Sequence, residues 1–401
     1  MRVLLIGQLP KEMGGNYTTG VARVVGELSK HKFGQHEMFL YGTNISEDKA
    51  QKLCNYENQY MGYVKRPLHL VGHFLLHPIT SFKAFQTYKK TDNASFLHME
   101  FIRDNISRVI SKVNPDVIHH HGTALSALHY ANLTTKIPII YSPHGVMWVD
   151  NENNKDANYQ HRLNATKISL SFANYITALN ESVVKRLTMM GVDRVKVSII
   201  PNGVDTKKFY YSEEARKEIR MTLGVNDKTL VFITVGLVID RKGQFAFVKL
   251  LESLGIDYQY WIIGKGPDEA VIQKYLEENN ISEKVRLLGY VEDKEIYKYH
   301  SAADVYALGS SEEAQSLAEI EAYTCGLRTI VNSIIAETVI GDVENETDHY
   351  FVIDFDKVNY VALNKWINKE LKTRDSVWKY DWSQIALRYS DNYNTVISRI
   401  R

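Results

Sequence analysis

The sequence contains only two cysteines, Cys54 and Cys325, among its 401 residues. Two thiols cannot build the disulfide framework of small secreted domains, so that class is excluded, and Cys325 is expected to be a small buried residue. No apolar run reaches the roughly 18 residues needed to cross a bilayer. The start of the chain passes directly into the strand-like VLLIG without a cleavable signal pattern. We therefore expect a cytoplasmic location.

The net charge is also close to zero, at +1. A chain without a strong excess of basic residues lacks the electrostatic signature of nucleic-acid binding, and we expect no nucleic-acid partner. The sequence shows no internal repeat and no low-complexity segment. Its length allows two domains of roughly 200 residues, each large enough to bury its own core.

Short apolar runs alternate with helical stretches in two series, which indicates parallel sheets covered by helices on both faces. We predict an α/β fold of two doubly wound Rossmann-like domains that face an interdomain cleft, with a linker near Pro201–Tyr211. Ligands are expected beyond the carboxyl ends of the strands. The predicted strands are Val3–Ile6, Glu37–Tyr41, Val117–His120, Ile139–Ser142, Tyr175–Ala178 and Val197–Ile200, then Leu230–Gly236, Tyr258–Ile263, Val285–Leu288, Val305–Leu308, Thr329–Asn332 and Tyr350–Ile353.

The stretch Ala307–Gly326 (ALGSSEEAQSLAEIEAYTCG) carries Glu313 and Glu321 eight residues apart. It is typical of a buried strand, a Gly/Ser loop and a helix from about 314 to 325 that Gly326 closes. Glu313 would lie at the helix N-terminus, and Glu321 roughly 12 Å further along the axis. Together with free N–H groups, the two carboxylates could cradle an elongated ligand that carries a phosphate. The alternative is a surface helix whose glutamates face water.

This pair resembles the E-x7-E motif of retaining glycosyltransferases with the two-domain GT-B fold, specifically the glycogen-synthase-like family 4. Other segments resemble the same family in the same order, and together they cover nearly the whole chain: Met1–Gly20, Asn114–Gly122, Ser142–Gly145, Pro201–Phe209, Val235–Gly243, Gly264–Pro267, and Leu288–Val291 followed by Ala303-Asp304. The resemblance implies an acceptor-side domain over 1–205 and a nucleotide-sugar-binding domain over 206–376. It also implies a C-terminal helix, 377–401, that crosses back to the first domain.

The resemblance also implies roles for single residues. Lys242, with Arg241, would neutralise the leaving diphosphate, as an ammonium beside a glycine loop can do. Glu313 would orient the donor sugar, Glu321 would bind the ribose hydroxyls, and His144 would lie near the donor sugar. The donor and its nucleotide would also contact Gly14, Gly15, Gly20, Lys265, Gly266, Tyr290, Val291, Ala314, Gln315, Ser316 and Leu317. The plain alternatives are an ordinary turn for the first glycine loop and a packed structural histidine for His144.

The implied activity is transfer of a hexosyl unit from a UDP- or GDP-linked sugar to a hydroxyl of a cell-surface glycan or lipid-linked acceptor, with no metal ion or other cofactor. Two departures stand out. Family members commonly have Glu-Gly-Phe-Gly where this chain has Glu313 followed by Ala-Gln-Ser, and Leu237 replaces a frequent Arg. These departures motivate a second hypothesis, in which the chain is a non-catalytic GT-B subunit that binds glycan or a partner glycosyltransferase.

The segment 61–90 contains five Lys or Arg residues, several aromatic and aliphatic residues, and no Asp or Glu. Such a basic amphipathic stretch can lie peripherally on an anionic inner membrane surface or receive a phosphate-bearing acceptor. The alternative is a solvated helix with one face in the core. His69, His73 and His77 share a helix face, but no carboxylate or cysteine accompanies them in the sequence, so we predict no metal site there or at His119–His121.

Two other enzyme classes can be compared with the sequence. Asp354-Phe355-Asp356 matches the metal-binding Asp-x-Asp of another glycosyltransferase architecture, but it follows the last predicted strand, too late in the chain for that role. A nicotinamide dehydrogenase is disfavoured because no G-x-G-x-x-G follows the first strand.

Overall fold

The fold was analysed in a computed structural model that describes residues 1–16, 19–53, 58–79, 81–82, 85–86, 96–122, 137–146, 157–369 and 379–400. The chain divides into two compact units. The first comprises Met1–Asn202 together with Trp382–Arg401, and the second comprises Gly203–Asp381. Cys54 and parts of the segment 61–90 lie outside the described residues.

Each unit is built from alternating strands and helices. The strands are β1 Arg2–Gly7, β2 Glu37–Ser46, β3 Gln59–Tyr63, β4 Val117–His121, β5 Ile139–Ser142, β6 Tyr175–Ala178, β7 Val197–Ile199, β8 Leu230–Val235, β9 Tyr258–Ile263, β10 Val285–Gly289, β11 Val305–Leu308, β12 Arg328–Asn332 and β13 Tyr350–Ile353. The helices are α1 Gly20–Leu28, α2 Glu47–Gln51, α3 Pro67–Leu76, α4 Phe96–Val113, α5 Ala157–Phe172, α6 Glu181–Met189, α7 Glu213–Thr222, α8 Gln244–Ser253, α9 Glu269–Glu278, α10 Ile296–Ala302, α11 Leu317–Thr324, α12 Tyr360–Ile367 and α13 Trp382–Ile400.

The first unit contains a seven-stranded sheet in the order β3-β2-β1-β4-β5-β6-β7, and every neighbouring pair is parallel. Its central strands are buried along their whole length because helices cover both faces of a parallel sheet. Residues of α4 complete one side of the core, which includes Ile106, Val109 and Val113. The C-terminal helix α13 packs within this unit, where Tyr389 and Tyr393 pack on Phe33.

The second unit contains a six-stranded parallel sheet in the order β10-β9-β8-β11-β12-β13. Two hydrophobic clusters cover its faces, one around Trp261 and Tyr306 and the other around Phe247 and Tyr260. Both units are therefore doubly wound α/β sheets, and the predicted fold class is confirmed.

The strand order reverses at one place in each sheet. In the first unit β1 lies between β2 and β4, and in the second unit β8 lies between β9 and β11. Loops that leave the carboxyl ends of such strands diverge to opposite faces, which opens a crevice where ligands bind in open α/β sheets. The loops after β1, β4, β8 and β11 are therefore the first places to examine for a site.

The segments predicted as strands are strands, and their ends agree or differ by one residue except in β2, whose end differs by five. The edge strand β3 was missed. Among the described residues, no helix is both long and apolar enough to span a membrane.

Candidate functional site

Three loops of the second unit meet backbone to backbone at the switch point. Gly243 follows the turn after β8 with φ of +70°, and a Cβ there would lie 2.2 Å from the carbonyl oxygen of Gly309, after β11. A Cβ on Gly264, after β9, would lie 1.8 Å from the carbonyl oxygen of Gly236. Only glycine allows both the backbone conformation and these approaches. The glycines therefore bring Lys242 next to the loop that carries Glu313.

Lys242 and Glu313 form an ion pair at this point. The ammonium Nζ donates to Oε1 of Glu313 at 2.5 Å, and the side chains are 22% and 11% exposed. The hydroxyl of Ser310 donates to the same carboxylate oxygen at 2.9 Å. The neighbouring Arg241 is used differently, because its guanidinium donates to the carbonyl oxygen of Glu312 at 2.7 Å. Lys242 thus supplies the positive charge of this cluster, while Arg241 fixes the loop.

The expected position of Glu313 at a helix N-terminus was wrong. Helix α11 begins at Leu317, and Ser316 is its N-cap, with a hydroxyl that accepts from the N–H of Glu319 at 3.3 Å. A serine cap satisfies an N–H of the first helical turn, which explains why the helix starts there and not at Ala314. Glu313, Ala314 and Gln315 therefore form a loop ahead of the helix, and Gln315 is almost completely buried.

The carboxylates of this segment do not face water, so the surface-helix alternative is also wrong. Glu321 is 4% exposed and Glu319 is fully buried. Burial and the nearby carboxylates of Glu313, Glu321 and Glu319 raise the pKa of Tyr306 well above its usual value. Tyr306 lies on β11, so this strand places a neutral phenol close to three acidic groups, an arrangement that no motif in the sequence indicates.

Glu319 has a separate role inside the second unit. Its carboxylate accepts from the hydroxyl of Tyr350 at 2.8 Å and from the N–H of Ile340 at 3.2 Å. Burial raises the pKa of Glu319 to about 7. These bonds tie α11 to β13 and to the chain that precedes it. Glu319 therefore anchors the helix on which Glu321 is carried.

The loops expected around the nucleotide lie at the same edge of the sheet. The N–H of Gly266 donates to Glu269, and the carbonyl of Lys265 accepts from Val238 at 3.1 Å. Tyr290 follows β10 and is 70% exposed, whereas Val291 packs against the core. The residues predicted to bind the nucleotide follow β9 and β10. These strands are the first and second neighbours of β8, the strand that precedes Lys242.

Leu237 occupies the position where the family frequently has Arg, and it is exposed. Its backbone carbonyl accepts from the side-chain amide of Gln244 at 2.9 Å. Gln244 is buried at the start of α8. The backbone of this loop is therefore held in place although the arginine is missing.

The glycine loop of the first unit follows β1. Gly14 has φ of +84°, and a Cβ on Gly15 would lie 1.9 Å from the carbonyl oxygen of Leu9. Gly20 is the first residue of α1, whose N-cap Thr19 accepts from the N–H of Ala22. The loop is tightly folded and leads into a helix N-terminus, which is the backbone arrangement that favours anions.

His144 belongs to a group of histidines at the switch point of the first unit. Its Nε2 lies 2.7 Å from Nδ1 of His121, the last residue of β4. His119, His120 and His121 are all buried. Burial lowers the pKa of His120 to about 3 and that of His144 to about 4, and it lowers the pKa values of His119 and His121 well below 6.5. These imidazoles are therefore neutral at pH 7.

Asp354 with Asp356 and the histidines of α3 are the other residues that were compared with metal sites. Within the described residues, no group of three or more His, Cys, Asp or Glu side chains could hold a metal ion. The carboxylate of Asp354 accepts from the backbone N–H of Asp356 in a local turn. The statement that no carboxylate accompanies the histidines of α3 was wrong, because α4 supplies Asp104 beside His69 and Glu100 beside His73.

The two halves of the chain match two family models. Residues 18–208 match the model described as Glycosyltransferase Family 4, and residues 215–377 match the model described as Glycosyl transferases group 1.

Curated relatives match over parts of their length. A segment of 141 residues is 33% identical to alpha-monoglucosyldiacylglycerol synthase of Acholeplasma laidlawii and covers 33% of this chain and 35% of that protein. A segment of 256 residues is 25% identical to the UDP-Gal:alpha-D-GlcNAc-diphosphoundecaprenol alpha-1,3-galactosyltransferase of Escherichia coli and covers 62% and 65%. The matched segments thus span between about a third and two thirds of these relatives.

Solved structures match along almost the whole chain. Sucrose-phosphate synthase from Thermosynechococcus elongatus superposes with a TM-score of 0.68 at 16% identity and covers 99% of both chains. HepE of Anabaena in complex with UDP superposes with a TM-score of 0.66 at 16% identity and covers 100% of this chain and 98% of that one. These likenesses establish the fold.

Proposed function

This chain belongs to the group 1 glycosyltransferases with the GT-B fold, and from that premise we propose that it moves a hexosyl unit from a nucleotide sugar to an acceptor hydroxyl with retention of configuration. The observation that carries the proposal is the ion pair between Lys242 and Glu313 at the switch point of the second unit. A cation and a carboxylate, held by glycine loops where doubly wound sheets bind ligands, fit a donor that carries both a diphosphate and a sugar.

In the proposed reaction the bond between the sugar and the diphosphate breaks, and the acceptor oxygen bonds to the same face of the sugar. The leaving diphosphate takes the proton of the acceptor hydroxyl. Lys242 stabilises the charge that develops on the diphosphate, and preorganised charges of this kind are the largest contribution in many enzymes. Glu313 orients the sugar hydroxyls and holds the ammonium of Lys242 before the donor arrives.

The donor is proposed to be a UDP- or GDP-linked sugar and the acceptor a cell-surface glycan or a lipid-linked glycan. HepE of Anabaena, which has the same fold, forms a complex with UDP-glucose, and two relatives are an alpha-monoglucosyldiacylglycerol synthase and a galactosyltransferase named for a diphosphoundecaprenol acceptor. A thermal-shift screen of nucleotide sugars tests the donor class, because a ligand at 100 times its Kd adds about 2.7 kcal/mol of stability. Absence of a shift with every UDP- and GDP-linked sugar would count against the proposal.

Sugar transfer is expected to proceed without a divalent metal. The proposed site balances the diphosphate with the ammonium of Lys242 and with backbone N–H groups, so its charge does not depend on a bound cation. Activity should therefore persist unchanged in excess chelator, measured as release of the nucleoside diphosphate. Loss of activity in chelator and its recovery with Mn²⁺ or Mg²⁺ would contradict this and would return attention to Asp354 and Asp356.

We further propose that α3 contacts the inner membrane surface and that the protein is peripheral on its cytoplasmic side. None of the residues of α3, all of which are described, is buried. Leu68, Leu75 and Leu76 are 88%, 70% and 77% exposed, and Ile79 and Phe82, further along the chain, are 72% and 56% exposed. Groups of exposed large apolar residues mark surfaces that bind a membrane or another protein.

Polar residues at the start of α3 and within it form ion pairs with α4. Arg66 and His69 both lie 2.6 Å from Oδ1 of Asp104 on α4, and His73 lies beside Glu100. The helix is therefore attached through its polar residues and presents its leucines outward. The absence of Asp and Glu from 61–90 suits an anionic bilayer, which attracts lysine and arginine and repels carboxylates.

Replacing Leu68, Leu75 and Leu76 together with glutamine is expected to weaken binding to anionic lipid vesicles at least about tenfold, because these side chains lose their apolar burial in the bilayer. Vesicle co-sedimentation with and without phosphatidylglycerol measures this. The matched control replaces three equally exposed residues, Met189, Met221 and Val361, and should bind like the parent protein. If the parent protein ignores vesicles and instead dimerises through these leucines, the surface belongs to a second copy of the chain.

A further inference from the structure

We infer that His121 is a positioning residue that holds His144 in the tautomer with a proton on Nδ1, so that His144 offers an N–H donor to the ligand and not a base. The inference rests on the proposed function for the role of His144 and on the geometry of the first unit for everything else. It assigns to His121 a task that the sequence did not indicate, since the histidine run was considered only as a metal site.

The contact between the two rings is direct. Nδ1 of His121 and Nε2 of His144 are 2.7 Å apart, and the rings meet edge to edge, with their centroids 4.9 Å apart and an interplanar angle of 30°. A distance of 2.7 Å between two ring nitrogens requires a proton between them, so one nitrogen donates and the other accepts. The two tautomers are therefore coupled, and fixing one of them fixes the other.

The second ring nitrogen of His121 decides which way the bond runs. Among the described residues, the buried Nε2 of His121 has no hydrogen-bond partner. A neutral imidazole has one N–H and one bare nitrogen. A buried N–H without an acceptor is rarer in proteins than a buried acceptor without a donor, so the bare nitrogen is Nε2. His121 therefore donates from Nδ1 to Nε2 of His144, and the proton of His144 resides on Nδ1.

The ring of His121 is held in place by its neighbours. His119 packs on it with ring centroids 4.2 Å apart, and Tyr389 of α13 lies 6.0 Å away. His119 is fixed in turn, because its two nitrogens lie 2.7 Å from the hydroxyls of Tyr393 and Ser142. The C-terminal helix thus supports the orientation of His121 through aromatic contacts within the first unit.

The backbone of His144 also has an unusual conformation. Its φ is +56°, a conformation that few residues other than glycine adopt. Unusual backbone conformations persist where the surroundings enforce them, and they concentrate at ligand sites. As a residue, His144 is partly exposed, whereas His121 is buried. His144 is therefore the member of the pair that can reach a ligand, and its Nδ1–H suits a hydroxyl or phosphate oxygen.

Two substitutions separate positioning from packing. His121→Asn keeps an N–H donor near the place of Nδ1, and His121→Leu has a similar size without any donor. We expect His121→Leu to lower kcat on the order of tenfold with little change in KM for the donor, and His121→Asn to recover most of the loss. His120→Asn is the control, because His120 is also buried but packs against Tyr141.

Nitrogen-15 NMR of histidine-labelled protein at pH 7.5 reads the tautomer directly, with His144→Gln used to assign the signals. The expected result is a protonated Nδ1 and a bare Nε2 on His144 in the parent protein and in His121→Asn, and a mixture in His121→Leu. A protonated Nε2 on His144 in the parent protein would overturn the inference, as would an unchanged spectrum in His121→Leu. This readout needs no turnover, so it stays decisive if sugar transfer itself is not found.

Discussion

Lys242→Ala is expected to lower turnover on the order of 10²-fold or more, as for loss of one preorganised charge beside a leaving group. The ammonium is the cation that the structure places against Glu313, whereas the guanidinium of Arg241 donates to the backbone carbonyl of Glu312. The measurement is kcat and kcat/KM for nucleoside diphosphate release with a saturating acceptor. Lys249→Ala, which removes an exposed lysine of α8 in the same unit, should retain full activity.

The ion pair between Lys242 and Glu313 leads to a second expected result, which concerns the double variant. Removal of Lys242 leaves the largely buried carboxylate of Glu313 without its cation, so part of the loss comes from that carboxylate. Changing Glu313 to glutamine as well should therefore cost less than the product of the two single effects. Turnover of Lys242→Ala close to that of the parent protein would remove Lys242 from the mechanism.

Glu313→Gln and Glu321→Gln are expected to act on different kinetic constants. Glu313 is proposed to orient the sugar that is transferred, so its loss should lower kcat on the order of 10²-fold and leave affinity for the nucleoside diphosphate nearly intact. Glu321 is proposed to hold the ribose, which the reaction does not change. Its loss should weaken the donor and the free nucleoside diphosphate alike, roughly tenfold or more, and act mainly through KM.

Calorimetry of each variant with the nucleoside diphosphate tests this division. Glu278→Gln is the control, because Glu278 is an exposed glutamate of α9 in the same unit and its change should leave both affinity and turnover in place. If Glu313→Gln loses nucleotide affinity and Glu321→Gln keeps it, the two roles are reversed. If neither change affects binding or turnover, the paired-carboxylate site is wrong.

The parallel sheets could be predicted because their strands are continuous apolar runs, which is what burial on both faces demands. The edge strand β3, QYMGY, escaped because it is short and contains a glycine that gives it no strand-like pattern. The start of α11 was misplaced for a similar reason. Both Glu313 and Ser316 can begin a helix, and only the hydroxyl bond from Ser316 to the N–H of Glu319 distinguishes them.

Single residues of the candidate site could be predicted where a sequence motif contains them. Contacts between residues that are distant in the sequence could not be predicted. Lys242 and Glu313 were both expected in the site, but their contact joins loops 71 residues apart in the chain. The contact between His121 and His144 joins the last residue of β4 to a residue just after β5, 23 positions later, and the direction of its hydrogen bond depends on a nitrogen that has no partner among the described residues. The ion pairs of the α3 histidines could not be predicted from the sequence either, because their partners Asp104 and Glu100 lie on another helix.

The most direct test of the central claim is the stereochemistry of the product. The protein would be incubated with a nucleotide sugar that stabilises it and with a lipid-linked or soluble glycan acceptor, and the anomeric proton of the new glycoside would be followed by NMR. The account predicts a glycoside with the same anomeric configuration as the donor. Inversion of that configuration would contradict it, and tight binding of the donor and acceptor without any transfer would favour the non-catalytic subunit instead.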